Sequence, residues 1–501
     1  MKYIKSVTVV FFLLFGLACT KNFEKMNTSP LMVTKDVIKP SMLFTAVLKQ
    51  SVFSTYENSI FKEYSNYYSN EASGVIFQNQ DWTSPFSDYQ GDLINIAEVV
   101  RLTADKPELV NQHAMGRIWK VWLFQQLTDA YGDLPYSEAL LGVDEAINQP
   151  VYDKQEDIYK DMLKELKEAA AQLSDNSEQV SFGDADILFK GNVDNWKRFA
   201  NSLRLRLAIR VRYANEDLAQ QHVSEVINSP LIDDNTLNAT LTTIDGTDIS
   251  NRNPLYNDYV NSNAYPVWVG FTVTQELLKR NDPRLPVYAD LPSVASAGYR
   301  GRPMTLQGDQ KIKYGFDSTA RLPVFFREAV HTIIVMNAAE VYFLRAEAAL
   351  AGLSGENVEQ TYRNGISESL EQYGISTNDA NAYMASPAGS IATGTEEEKL
   401  ENIIVQKYLA MYHQGTEAWA EFRRTGYPRI WTGADMGSTK GNIPRRLTYP
   451  SSEYARNNAN VIAAVSRLNG GDEMMSHMWW DAKPGLPFLH PKQGQFPPEI
   501  Y

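Results

Sequence analysis

The residues best suited to catalysis are not arranged for it. The six histidines, His113, His222, His331, His413, His477 and His490, are scattered, with no His-Glu-x-x-His pair and no local spacing suited to zinc. No Gly-x-Ser-x-Gly elbow exposes a serine, no Gly-Lys-Ser or Gly-Lys-Thr closes a phosphate loop, and no Gly-x-Gly-x-x-Gly follows a strand. Among 60 acidic residues paired carboxylates arise by chance, so a glycosidase without a motif stays open but unsupported. The stretch Asp245-Gly246-Thr247-Asp248 lacks the ladder of ligands, ending in a bidentate Glu, that a calcium loop needs, and it reads as a solvated turn. The chemistry the sequence does concentrate is recognition: aromatics beside Asn, Asp, Gln, Gly and Arg, gathered in stretches without helical periodicity.

Those stretches need elements to hold them. From His113, apolar residues at Met115, Ile118, Trp119, Trp122, Leu123, Leu127, Ala130 and Tyr131 recur at three- and four-residue steps and Gly132 offers a stop, which predicts an amphipathic helix. A second is expected behind Asp153 and Glu156 in capping-box spacing, with Ile158, Tyr159, Met162, Leu163 and Leu166 on one face. Helical pairs follow at about 194–211 with 215–228, at 337–353 with 356–373, and from Thr395, capped by Glu398. Arg204, Arg206, Arg423 and Arg424 are expected to pair with acids such as Asp129, Glu340 or Glu417 and hold helices in register. The fold class is therefore mostly α, with helical pairs resembling tetratricopeptide repeats and long irregular loops forming a binding face.

Composition agrees with a folded, exported chain. In 501 residues, 44% are hydrophobic and 21% charged, which excludes disorder and low complexity. The net charge is −13 and no basic cluster survives past the first few residues, so nucleic acid is not an expected partner. Lys2 and Lys5 precede an apolar run from Val7 to Ala18, and the only cysteine, Cys19, follows Gly16-Leu17-Ala18. Twelve helical residues span about 18 Å, well short of a bilayer's hydrocarbon core, so the run reads as a secretory leader. Small residues before that cysteine resemble the bacterial lipobox. Residues 1–18 are then a lipoprotein signal peptide and Cys19 the lipidated residue. Residues 19–29 form a tether, and 30–501 one domain with loop insertions at about 71–92, 231–266, 288–327 and 427–501.

Seven segments, in order, resemble the SusD/RagB family of Bacteroidetes outer-membrane lipoproteins, SusD-like branch. They are CTKNFEKMNTSP from Cys19, LTDAYGDLPYSEAL from Leu127, FANSLRLRLAIRVR from Phe199, NDPRLPVYA from Asn281, AAEVYFLRAEAALAG from Ala338, EAWAEFRRTGYPRI from Glu417 and RRLTYPSSE from Arg445. The resemblance implies a non-enzymatic protein, lipid-anchored at the outer membrane and facing the cell exterior. It would bind glycan without a cofactor or metal and pass it to a TonB-dependent, SusC-like transporter. A peptide-binding scaffold of the same architecture and a lipid-anchored glycoside hydrolase are the alternatives. A glycan site needs flat aromatic faces for sugar C–H groups and polar side chains for hydroxyls. That chemistry selects Phe77, Asn79, Asp81 and Trp82 in a first segment, and Tyr256, Tyr259, Asn263, Tyr265 and Trp268 in a second. The third is Tyr299 and Arg300, where Gly301 would admit a ligand closely.

Overall fold

Proline fixes φ and lacks an N–H, so it suits a helix's first turn, and Pro40 opens the first helix of the computed structural model. The structure describes residues 38–69, 77–83, 85–141, 145, 147–261, 268–433, 435–498 and 500. Helices dominate: α1 (Pro40–Glu57), α2 (Ser59–Tyr64), α3 (Asp92–Thr103), α4 (Val110–Tyr131), α5 (Gln155–Gln172), α6 (Val193–Arg210), α7 (Glu216–Val226), α8 (Pro254–Asn261), α9 (Phe271–Lys279), α10 (Ala338–Leu350), α11 (Val358–Gln372), α12 (Thr377–Met384), α13 (Glu396–Ala410), α14 (Gly415–Thr425), α15 (Ser451–Arg456) and α16 (Asn458–Val465). Helices α3, α4, α5, α6 and α7 each pack on the next, α6 also meets α10, and α10 packs on both α11 and α13. These are the helical pairs of a repeat-like scaffold. Among the described residues, six short strands form three antiparallel pairs, β1 (Tyr68–Ser69) with β5 (Trp268–Val269), β2 (Leu134–Pro135) with β3 (Tyr152–Asp153), and β4 (Ala239–Thr242) with β6 (Thr332–Met336).

Several local expectations hold and others shift for a visible reason. Thr395 and Glu398 form a reciprocal capping box at the start of α13, and Gly132 ends α4 at φ 91°. Asp153 does not cap α5. It lies in β3, where its carboxylate accepts from Tyr136 N, Ser137 N and Ser137 Oγ. Helix α4 is not one-sided either: it is buried on nearly every face, Arg117, Gln125 and Asp129 included, because α3, α5 and α6 surround it. The stretches read as irregular contain the helices α8, α15 and α16.

The arginines bind the helices together through a buried ionic network. Arg206 donates from Nε and Nη2 to the two carboxylate oxygens of Glu340, each at 2.7 Å. Arg210 pairs with Glu417, and Lys407 lies 3.5–3.8 Å from Glu340, Glu417 and Glu421. Arg424 bridges Glu347 and Glu421. Arg204 pairs with Glu225, nearer the surface. Arg423 departs from expectation: it donates to the carbonyls of Asp129 and Arg445 and stacks 3.4 Å from the Trp419 ring. The charged residues thus cross-link α4, α6, α10, α13 and α14 in the interior.

Candidate functional site

Two glycines allow three chain segments to meet beneath one loop surface. A Cβ on Gly270 would stand 1.8 Å from Asn66 O, and one on Gly301 would stand 2.6 Å from Gly270 O and 2.2 Å from Thr274 Oγ1. With neither Cβ present, β5 lies between β1 and residues 300–321: Val269 N donates to Ala320 O at 3.1 Å, and Arg302 N to Val269 O at 2.8 Å. Gly301 therefore serves backbone packing, not ligand approach. The β1–β5 pairing buries Trp268, 3% exposed, under the Arg302 guanidinium 4.3 Å from its ring.

The segment 77–83 is clasped by the C-terminal part of the chain. Phe77 is fully buried and its carbonyl accepts from Thr439 N, while Asn79 N donates to Ser438 Oγ and Asn79 Oδ1 accepts from Thr448 Oγ1. Asp81 accepts from both the N–H and the hydroxyl of Ser451, and these bonds, the hydroxyl's first, hold its carboxyl below the ordinary range. Trp82 is 5% exposed and its carbonyl accepts from Tyr131 Oη at 2.7 Å.

Beside this clasp runs a groove of about 1060 Å³. Thr83, Phe86, Ser87, Tyr89 and Gln90 with the exposed side of α3 form one wall, and residues from 135–141 and 450–457 the other. The half-buried ring of Tyr89 sits against Phe86 at 5.1 Å, its hydroxyl held by Pro135 O. Gln90, Asn95, Arg101 and Arg456 bring hydrogen-bonding groups to the rim. Behind Tyr89, burial pushes the Asp88 carboxyl up to about 6, and burial with the added Asp88 charge pushes Asp92 up to about 7. A second recess, of about 830 Å³, lies where α9, α12 and α13 meet; there Arg429 is paired with Glu401, and Arg280 with Glu276 and Asn402. Its cations are already answered within the protein. No group of His, Cys, Asp and Glu among the described residues could hold a metal ion.

The sequence from residue 31 to 450 matches the SusD-like family described as "Starch-binding associating with outer membrane". The chain belongs to that family. No curated protein matches. Among solved structures, this SusD-like chain is similar to a chitin-binding SusD homologue from Flavobacterium johnsoniae, at 25% identity and TM-score 0.74 over 90% of this chain and 98% of that one. It is similar also to a SusD homologue from Bacteroides uniformis, at 28% identity and TM-score 0.72 over 89% of this chain and 100% of that one. A third, from Bacteroides ovatus, shows 26% identity and TM-score 0.73 over 89% and 98%.

On this SusD-like scaffold the candidate residues separate. Phe77, Trp82 and Trp268 are buried and offer no free ring face, because distant parts of the chain cover them: Phe77 packs near Tyr64 in the segment held by residues 438–451, and Trp268 lies in β5 beside β1 with the Arg302 guanidinium over its ring. Asn79 and Asp81 are exposed, though both are engaged by the clasp. Tyr256 is half-buried on α8 with Arg252 over its ring at 5.8 Å, and Tyr299 and Arg300 are half-buried beside Trp268's strand. Tyr259 belongs to α8, while Asn263, Tyr265 and Cys19 lie outside the described residues. The groove residues Tyr89, Gln90, Asn95 and Arg456 were missed. Tyr89 and Gln90 carry the same aromatic-plus-amide signature inside the 71–92 stretch. Asn95 looks like any polar position on a helix, and Arg456 arrives from far along the chain.

Proposed function

We propose that this protein is a surface-exposed, lipid-anchored binding protein that captures oligo- or polysaccharide and hands it to a TonB-dependent transporter of the outer membrane. One observation carries the reading: an open groove with a tyrosine ring and amide and guanidinium groups at its rim, in a chain of a family described as starch-binding. A half-buried ring supplies a stacking face, and Gln90, Asn95 and Arg456 replace water at sugar hydroxyls. A relative described as chitin-binding supports the same class of ligand. Cys19 behind its apolar run supports the anchor, and no helix among the described residues is long and apolar enough to cross a membrane.

The test is retardation of the full chain, in nonionic detergent, through native gels cast with a panel of polysaccharides. Retardation by at least one polymer, weakened about tenfold in the Gln90→Ala/Asn95→Ala double variant, is the expected result, since each lost hydrogen bond removes on the order of 1 kcal/mol. Turnover of the polymer would replace this reading with a hydrolase. Binding of peptides with no response to carbohydrate would replace it with an interaction scaffold.

A further inference from the structure

The segment from Tyr299 to Arg321 runs against the charge of the whole. In a chain of net charge −13 it carries five basic residues, Arg300, Arg302, Lys311, Lys313 and Arg321, against two acidic ones, Asp309 and Asp317. Many of the arginines elsewhere are answered by carboxylate, as in Arg206 with Glu340, Arg284 with Asp282 and Arg429 with Glu401. Arg300, Lys313 and Arg321 have no carboxylate within 4.0 Å among the described residues.

Arg300 and Arg321 both reach residues 313–316, and their backbones are held by hydrogen bonds. Arg300 O accepts from Ala320 N at 2.8 Å, and its guanidinium reaches Lys313 O at 3.4 Å. Arg321 exchanges both backbone hydrogen bonds with Asp290, at 2.9 and 3.2 Å. Its guanidinium lies 4.9 Å from the Phe316 ring, which is 38% exposed. Lys313 is exposed and both arginines are half-buried. Guanidinium remains charged at any physiological pH and forms paired, planar bonds with carboxylate or sulfate. An exposed ring beside fixed cations meets a sugar's C–H face and its acidic substituent together. A neutral polymer would leave all three charges to solvent ions.

Resting on the glycan reading above, we infer that residues 299–321 select an anionic polysaccharide, one bearing uronate carboxylates or sulfate esters. The full chain is run in native gels and titrated calorimetrically with polygalacturonate, chondroitin sulfate and dextran sulfate, and with amylose, chitin oligosaccharide and polyglutamate as controls. Polygalacturonate separates carboxylate from the sulfate carried by dextran sulfate. Expected are binding of at least one acidic polymer, its loss at about 0.5 M NaCl as exposed charges are screened, and about tenfold or greater weakening in Arg300→Gln/Arg321→Gln. The variants' unfolding curves should match the parent's. Phe316→Ala should weaken polygalacturonate but leave polyglutamate unchanged. Binding of neutral polymers alone overturns the charge selection and leaves the glycan reading standing. Binding of no polymer overturns both. Acidic-polymer affinity unchanged in the double variant, or polyglutamate bound as tightly as polygalacturonate, overturns the selection as well.

Discussion

At the scale of single residues, Asp88 and Asp92 set a pH response next to the groove. Both carboxyls hold their protons more tightly in the folded chain than in the unfolded one, Asp88 to about 6 and Asp92 to about 7. The stability this contributes is complete below the ordinary carboxylate range and is lost as pH rises through 6 and 7. We expect the parent's Tm to fall between pH 5 and pH 8 relative to Asp92→Asn, whose amide cannot ionise, by roughly 2 °C or more. Parallel Tm curves for the two proteins would contradict the assignment. The residue scale is also where sequence reading was least reliable. Trp82 and Trp268 have the composition of a stacking platform, yet both rings are buried, since a large aromatic in a long loop is what anchors that loop to its scaffold. Tyr89 has the same composition around it and faces the groove. Nothing in the one-dimensional pattern separates the two outcomes, because they depend on which distant segment covers which ring.

At the scale of elements, the arginine-rich face of α6 was legible as a set of interhelical ties. Helical spacing places Arg206 and Arg210 one turn apart, and buried acids on α10 and α14 receive them. The partners could not be assigned singly, because several acids sit at equivalent positions and only the packing of α10, α13 and α14 chooses among them. Glu340 is fully buried with Arg206 hydrogen-bonded to both of its oxygens. Glu340→Ala strips that guanidinium of its hydrogen-bonded carboxylate, leaving only Glu417 at 3.8 Å, and should cost about 3 kcal/mol, read as a lower urea midpoint. Removing both charges in Arg206→Met/Glu340→Met should recover much of the loss, since a buried ion pair contributes little beyond its apolar replacement. A double variant as unstable as Glu340→Ala would show that the network, not the pair, is the cooperative unit.

At the scale of the whole molecule, the proposed anchor predicts where the protein is found. Cys19→Ser should abolish incorporation of an alkyne-tagged fatty acid and move the protein out of the membrane fraction; unchanged labelling would place the lipid elsewhere. The clasp between residues 77–81 and 438–451 has a consequence in time. Its hydrogen bonds join positions about 360 residues apart in sequence, whereas neighbouring helices such as α3 and α4 are close along the chain. Local helical pairs therefore assemble early during synthesis, and closure of the clasp beside the groove waits until residues 438–451 have been made. A molecule cut short before residue 436 could own most of its helices and still lack part of one wall of the groove. The groove is in that sense a late product of synthesis, whole only once the chain has been made through Asn457.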